Sequence, residues 1–337
     1  MRGCRWWVQS TGALAAAAGM LLATPGVACS IPVFRYALER WPADLFVATA
    51  SVPVVATAAE KQAITWLEDQ AQPNGGPLNL AVKRTPATDD ATAADRGSLV
   101  IARQSRGSEP AVLWSGGLAE AEATLATSPW QRELVRRLAS GDAVVWVVLE
   151  GADPAAAAQA HQLLRDQLPQ LAEDTVLPRG IGLPGSELLA GIPLEVRFSV
   201  LTVPADAAGE ALLRATLLAG RKESAAEGEA IDPQAALVAA VFGRGRAAVV
   251  VPAATLTVDA VAEFTAFLCG ACSCQVKQLN PGFDLLLPVD WEQLLFGEGL
   301  AALPRLPAEP AAASQPELVP IPAGRSRSRA ATSRAGP

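Results

Sequence analysis

The sequence predicts a mixed α/β protein made of two consecutive units with a similar order of elements. Half of the 337 residues are hydrophobic, which is enough to form a sizeable core. Residues 142–150 (DAVVWVVLE) form a continuous apolar run, as in strands buried on both faces. The order strand, helix, strand, variable segment, hairpin and helix occurs over residues 44–140 and again over residues 142–268. We therefore expect one α/β unit at residues 29–141 and a second at residues 142–303.

Capping and turn signals place the elements of the first unit. Pro42 should stop an amphipathic helix. Thr57 and Glu60 have the spacing of a capping box at the start of the next helix. Ser128 and Pro129 suit the N-cap and the first position of a later helix. The predicted elements are helix 32–41, strand 44–52, helix 58–70, strand 78–83, a hairpin of strands 98–102 and 111–114, and a helix from residue 129 that Gly141 ends.

The second unit is predicted in the same way. Gly243–Arg246 (GRGR) is a turn between two apolar runs, and Thr257 is the N-cap of the helix that follows. The predicted elements are strand 142–150, a helix from 153 to about 171, a Gly/Pro-rich loop 176–193, strand 194–203, helix 206–219, a charged loop 221–232, a hairpin of strands 236–242 and 247–251, helix 258–268, strand 283–287 and a closing segment 290–295.

The first 28 residues have the features of a signal peptide. Arg2 and Arg5 precede an apolar run at residues 12–23, which is short for a membrane span, and residues 26–28 are small. We therefore expect export to the periplasm or the cell envelope. Cys29 follows the predicted cleavage point directly. Lipid attached at Cys29 would anchor the protein to a membrane, whereas cleavage without lipidation would leave an ordinary thiol.

The charge distribution argues against a nucleic-acid partner. The formal net charge is −7, although the first 28 residues carry two arginines and no acid. The segment 304–337 carries five arginines and two glutamates, so the body between these ends is more acidic than the whole chain. Proline, alanine, serine and arginine dominate this segment, which predicts a disordered tail.

Three of the five cysteines form a C-x-x-C-x-C cluster at Cys269, Cys272 and Cys274. Structural disulfides are the first interpretation, because export favours them and Cys29 completes a set of four with three alternative pairings. Thiol–disulfide exchange is the second, which makes the three clustered cysteines candidate catalytic residues. However, they follow a helix C-terminus, where the helix dipole disfavours a thiolate.

Metal binding is the third interpretation of the cluster. Four thiolates suit tetrahedral zinc or an iron–sulfur cluster, so Cys29, Cys269, Cys272 and Cys274 are also candidate metal ligands. No other cofactor is predicted. The cluster lacks a second C-x-x-C half-site, so Cys29 would have to approach from far away in sequence.

Two other motifs are weaker. Gly180–Gly185 matches G-x-G-x-x-G, but a long predicted helix precedes it and Pro184 interrupts it, so a loop is the favoured interpretation. His161 is the only histidine, which argues against a hydrolytic triad and against most zinc enzymes.

The repeated order of elements resembles the thioredoxin fold, in which the central sheet ends in a hairpin followed by a packing helix. The resemblance implies a C-x-x-C after the first strand of each unit. Residues 51–53 (SVP) and 151–153 (GAD) occupy those positions without a thiol. It also implies a cis-proline before the hairpin, for which Pro233 is the only candidate. The usual redox site of that fold is therefore expected to be absent.

Three stretches also resemble an uncharacterised family of exported bacterial proteins, and this resemblance implies no activity. They are residues 29–41, 241–246 and 269–284. Our first hypothesis is a non-enzymatic interaction or structural module of the cell envelope with an unknown protein partner. The alternatives are a thiol–disulfide oxidoreductase and a thiolate metal-binding protein. Membrane contact is expected only if Cys29 is lipidated.

Overall fold

The computed structural model describes residues 30–86, 97–104, 109–207, 209–226, 228–272 and 276–297. The predicted signal peptide, the predicted tail, Cys29 and Cys274 lie outside these residues. The described chain is a mixed α/β structure with one four-stranded and one five-stranded sheet. Its helices are α1 (Val33–Arg40), α2 (Ala58–Gln70), α3 (Ala121–Leu125), α4 (Pro129–Ala139), α5 (Pro154–Asp174), α6 (Glu210–Ser224), α7 (Val258–Cys269) and α8 (Trp291–Phe296).

The first sheet contains β1 (Phe46–Val52), β2 (Leu80–Pro86), β3 (Ser98–Arg103) and β4 (Ala111–Gly117). Their spatial order is β2-β1-β3-β4. Strands β1 and β2 are parallel, and the hairpin of β3 and β4 adds antiparallel to the other edge of β1. Helix α2 begins at the predicted capping box, in which Thr57 and Glu60 exchange hydrogen bonds.

The second sheet contains β5 (Val144–Leu149), β6 (Phe198–Val203), β7 (Leu237–Phe242), β8 (Arg246–Pro252) and β9 (Phe283–Asp284). Their order is β6-β5-β7-β8-β9, with β5 parallel to β6 and the remaining neighbours antiparallel. Every residue of β5 and of β7 is buried. These central strands are therefore covered on both faces, as the continuous apolar run at 142–150 predicts.

Helices from both parts of the sequence cover the second sheet. Helices α1, α5 and α7 contribute to one core, which includes Phe34, Leu164 and Val261. Helix α4 packs in the core on the opposite face, which includes Leu134 and Leu213. All strands of the first sheet precede residue 141. Helices α1 and α4 precede residue 141 as well, but they pack on the second sheet. The division into domains at residues 141 and 142 stays a prediction.

Helix α6 lies between the two sheets. Leu212 belongs to the core of the first sheet, whereas Leu213 and Leu217 belong to a core of the second. Gly220 allows close packing here, because a Cβ at this position would lie 1.8 Å from the ring of Phe283. This helix therefore joins the two sheets through opposite faces.

Several predicted boundaries differ from the structure, and three of these differences have a physical explanation. Residues 194–197 are not part of β6, because β5 begins at Val144, opposite Phe198, and offers no strand partner further back. Helix α6 continues to Ser224 through residues predicted as loop, and Arg221 and Lys222 suit the negative end of its dipole. Strand β9 has two residues instead of five.

The shortening of β9 has a specific cause. Beyond Asp284 the chain runs between the cores of the two sheets, with Leu285 in one and Leu286 in the other. The side chain of Asn79 donates to the carbonyl of Leu285 (3.1 Å) and accepts from the amide of Leu287 (2.8 Å). An amide side chain thus replaces a neighbouring strand as the hydrogen-bond partner.

Candidate functional site

Two of the four candidate thiols lie in the described structure. Cys269 is the last residue of α7 and is 2% exposed; Cys272 follows it and is equally buried. Burial raises the pKa of the Cys269 thiol to about 12, because the apolar surroundings disfavour the thiolate. Cys269 is therefore a neutral thiol near pH 7 and a poor nucleophile.

The amino-terminal segment pairs with the cysteine segment. Pro32 lies opposite Ala271 in an antiparallel bridge. The amide of Val33 donates to the carbonyl of Gly270 (3.0 Å), and the amide of Cys272 donates to the carbonyl of Ile31 (2.9 Å). Chain segments more than 200 residues apart in sequence are thus joined by backbone hydrogen bonds beside the cysteines.

Residues 241–246 also contact the amino-terminal segment, at the carboxyl end of α1. The guanidinium of Arg244 donates through Nε to the carbonyl of Leu38 (2.8 Å) and through Nη2 to that of Glu39 (3.2 Å). These carbonyls end helix α1, where a cation is favourable. The rings of Trp41 and Phe242 meet edge to face, with centroids 6.3 Å apart. The described parts of residues 29–41, 241–246 and 269–284 therefore lie close together.

A network of ion pairs, most of them buried, joins the segment after the cysteines to the segment after α1. Lys277 Nζ lies 2.5 Å from Asp284 and 2.9 Å from Asp44, and it donates to the carbonyl of Pro42 (2.6 Å). Arg246 also pairs with Asp284 (3.0 Å). Asp284 and both cations are less than a tenth exposed. Each charge is compensated, which is the condition under which buried charges are tolerated.

A second buried ion pair fixes α1 to the loop before β6. Arg35 and Glu39 are fully buried and 2.8 Å apart. Arg35 donates to the carbonyls of Ala190 (2.8 Å) and Ile192 (2.7 Å), and Glu39 accepts from the amide of Ala190 (3.0 Å). Desolvation lowers the pKa of Arg35, an effect that the attraction of Glu39 opposes. Sequence reasoning missed this pair, because charges four residues apart on a helix usually face solvent.

A separate surface cleft of about 450 Å³ lies at the carboxyl ends of β5 and β6. Gly151 and Ala152 line it after β5, Ala205 lines it after β6, and Pro233 lines it before β7. Helix α6 forms one wall, which includes Arg214. The C-x-x-C of the thioredoxin fold would lie beside this cleft, and residues 151–153 have no thiol there.

The weaker motifs have structural explanations. Gly180–Gly185 lies in a loop with neither helix nor strand, and its three glycines have positive φ. His161 lies on α5 and is partly exposed. Among the described residues, no three His, Cys, Asp or Glu side chains are grouped as metal ligands, and two of the four candidate thiols lie outside those residues.

No protein-family model, curated protein or solved structure matches the chain. Within the part of the chain that the structure describes, no helix is long and apolar enough to cross a membrane.

Proposed function

We propose that this protein is an exported, non-enzymatic interaction or structural module of the cell envelope, stapled by a disulfide between its amino-terminal segment and the cysteine cluster. The observation that carries this proposal is the backbone pairing of residues 31–33 with residues 270–272. Export itself is inferred from the signal-peptide features of residues 1–28.

The register of this pairing favours one disulfide. Pro32 lies opposite Ala271, and the hydrogen bonds from Val33 and Cys272 have the same register. If it continued by three residues beyond the described pairing, this register would place position 29 opposite position 274. Directly opposed residues of antiparallel strands have Cα atoms roughly 4.5–5.5 Å apart, which suits a disulfide. We therefore propose Cys29–Cys274 as the staple.

The oxidoreductase alternative is less well supported. An attacking cysteine requires an accessible thiolate, and burial keeps Cys269 protonated. The alternative would therefore have to use Cys272 and Cys274, possibly joined by Cys29 from the opposite segment. The metal alternative also requires Cys269 to ionise, which a bound cation could drive.

We also propose that each half has the thioredoxin-like topology. The first sheet has the order β2-β1-β3-β4, and the second sheet has the corresponding order β6-β5-β7-β8, followed by β9. The first two strands are parallel and the third is antiparallel to the first. Helices α5 and α7 on one face and α6 on the other add support in the second half.

Intact mass of the natively exported protein, with and without reduction, tests the staple. The protein is alkylated before reduction, digested and mapped for cross-linked peptides, with metal analysis of the same sample. We expect a peptide joining Cys29 to Cys274, and Cys269 unmodified until the protein is unfolded. Free, rapidly alkylated Cys29 and Cys274, or stoichiometric metal, would overturn the proposal.

Single and double serine variants quantify the staple. Cys29→Ser and Cys274→Ser should each lower the free energy of unfolding by about 2–4 kcal/mol, and the double variant by no more than either single one. Additive losses would show that the two thiols act independently. Urea denaturation measures all three differences.

A further inference from the structure

The cleft at the carboxyl ends of β5 and β6 has a fixed wall. Arg214 of α6 donates through Nη1 to the carbonyl of Ala235 (2.9 Å) and through Nη2 to that of Glu150, and its Nε pairs with Glu210. These bonds tie α6 to the loops after β5 and before β7. The cleft is therefore held open by a side chain that is only 12% exposed.

Backbone packing fixes the opposite side. The amide of Ala152 donates to the carbonyl of Gln234 (2.9 Å). A Cβ on Gly151 would lie 2.3 Å from the backbone nitrogen of Ala236, so only glycine allows this approach. The two loops thus form one rigid rim. Crevices outside the carboxyl ends of parallel strands are where α/β sheets commonly bind ligands.

The segments that flank the cleft are acidic in sequence, although Asp153 and Asp232 also accept hydrogen bonds from the amides of Ala155 and Gln234. The three rim segments, 150–153, 204–210 and 232–235, contain no lysine or arginine. Their carboxylates are Glu150, Asp153, Asp206, Glu210 and Asp232. Among the described residues that line the cleft, Arg214 is the only cation, and it already pairs with Glu210. Within the described structure, the side chains of Glu150 and Asp206 have neither a hydrogen bond nor an ion pair.

Apart from Glu210, Arg214 and Gln234, the residues that line the cleft are apolar, and most of them are small. Ala211, Ala215 and Leu218 line the wall on α6, and Pro233 lines the rim before β7. Lysine and arginine pack their aliphatic stems on such a surface while their charged groups reach carboxylates at its edge. The carboxylates of the flanking segments would instead repel an acidic peptide or a nucleic acid.

We propose that this cleft docks a lysine- or arginine-bearing extended segment of a partner polypeptide. The proposal deepens the function proposed above, since it depends on the protein being an interaction module and names the chemistry of the partner. Carboxylates on three separate loops suit several lysine or arginine side chains along an extended peptide. A single metal ion would instead require carboxylates that converge on one point.

Peptide binding to the full-length exported protein tests the proposal. The probe is a short fluorescent peptide of alternating lysine and alanine, followed by fluorescence anisotropy, with alternating glutamate and alanine as the matched peptide. We expect the lysine peptide alone to bind, and more weakly as salt rises toward ~150 mM. Equal binding of the two peptides, or no binding of either, overturns the proposal.

Matched variants locate the binding. Ala211→Trp should fill the cleft and weaken the affinity about tenfold or more, and Asp206→Lys should weaken it roughly fivefold. Glu122→Lys, an exposed acid on α3, should have less than about a twofold effect. If Glu122→Lys weakens binding as much as Asp206→Lys, attraction is general to the acidic surface and the site is wrong.

The same samples separate this proposal from the staple. Disulfides are mapped and urea stability is measured for each variant before binding. Peptide binding at the cleft with free Cys29 and Cys274 overturns the staple alone. An intact staple and normal stability without cleft-dependent binding overturns the docking proposal alone.

Discussion

The two sheets share a strand order but differ in how much of each strand is buried. In β1 buried and partly exposed residues alternate, and most of β2 is exposed. In β5 and β7 every residue is buried. The difference arises because the second sheet receives helices from before residue 141, α1 and α4, in addition to its own. A common strand order therefore does not give equal stability, since covering layers decide the buried area.

The carboxyl ends of the first strands show the same contrast. After β1 the chain exposes Val54 and Val55, which are 93% and 88% exposed. After β5 the chain is held against the segment before β7, and Arg214 fixes α6 beside it. Among the described residues, the fixed rim is thus found in the second half. We expect substitutions there to cost more than equivalent ones in the first half.

The largest expected effect is at the buried ion pair of α1. Glu39→Ala leaves the fully buried Arg35 without its carboxylate and removes the acceptor for the amide of Ala190. We expect the free energy of unfolding to fall by about 3–5 kcal/mol, as for other broken buried pairs. Urea denaturation of the purified protein measures this loss.

The first half offers the matched control. Glu68 of α2 pairs with Arg84 of β2, and these side chains are 33% and 54% exposed. Glu68→Ala should therefore cost only about 0–1 kcal/mol. Equal losses at Glu39 and Glu68 would show that burial does not separate the two halves. The double variant Glu39→Leu, Arg35→Met should recover much of the loss, because it leaves no fully buried charge unpaired; Arg40, which also pairs with Glu39, is partly exposed.

The central strands give the next largest effect. Val145 is the second residue of β5 and is fully buried, whereas Val47 is the second residue of β1 and is partly exposed. Val145→Ala should lower the free energy of unfolding by about 2 kcal/mol, through lost apolar burial and a cavity, and Val47→Ala by less than about 1 kcal/mol. Thermal and urea unfolding measure both. A larger cost at Val47 would reverse the comparison.

Periodicity and capping predicted most of the local structure. The caps at Thr57 and Ser128 and the turn at Gly243–Arg246 are present in the structure, and the buried strand predicted at residues 142–150 is present as Val144–Leu149. These features depend on residues close in sequence, so local patterns are sufficient to predict them. Mixed α/β architecture follows from the same patterns.

The arrangement around the cysteine segment could not be predicted in this way, because it depends on contacts between residues that are far apart in sequence. Nothing near Arg244 in sequence indicates that it would cap α1, and nothing near Asn79 indicates that it would bind Leu285 and Leu287. The hydrogen bond between Cys272 and Ile31 likewise joins residues that are far apart in sequence. The cysteine cluster could be recognised from spacing, and Cys29 could be named as a candidate partner, but the register of the two segments could not be predicted because that required the position of α1.

The smallest expected effect tests how α4 is fixed on the second sheet. Burial would raise the pKa of Glu133, but hydrogen bonds from Arg136 and Arg137 outweigh it and hold the pKa below its usual range. Arg137 also donates to the carbonyl of Val200 in β6 (2.7 Å). The charged carboxylate thus stabilises the folded state above the unfolded pKa of about 4.3, and this contribution disappears as pH falls through the lower folded pKa.

Glu133→Gln should therefore lower the free energy of unfolding by about 1 kcal/mol at pH 7, and progressively less below about pH 4. Urea denaturation between these pH values measures the difference from the native sequence. Glu122→Gln on the exposed face of α3 is the control and should show no such trend. A loss that stays constant down to pH 3 would mean that Glu133 acts through its shape and not its charge. The charge of Glu133 would then contribute nothing to holding α4 on the second sheet, and the hydrogen bond from Arg137 to Val200 would remain together with the apolar packing.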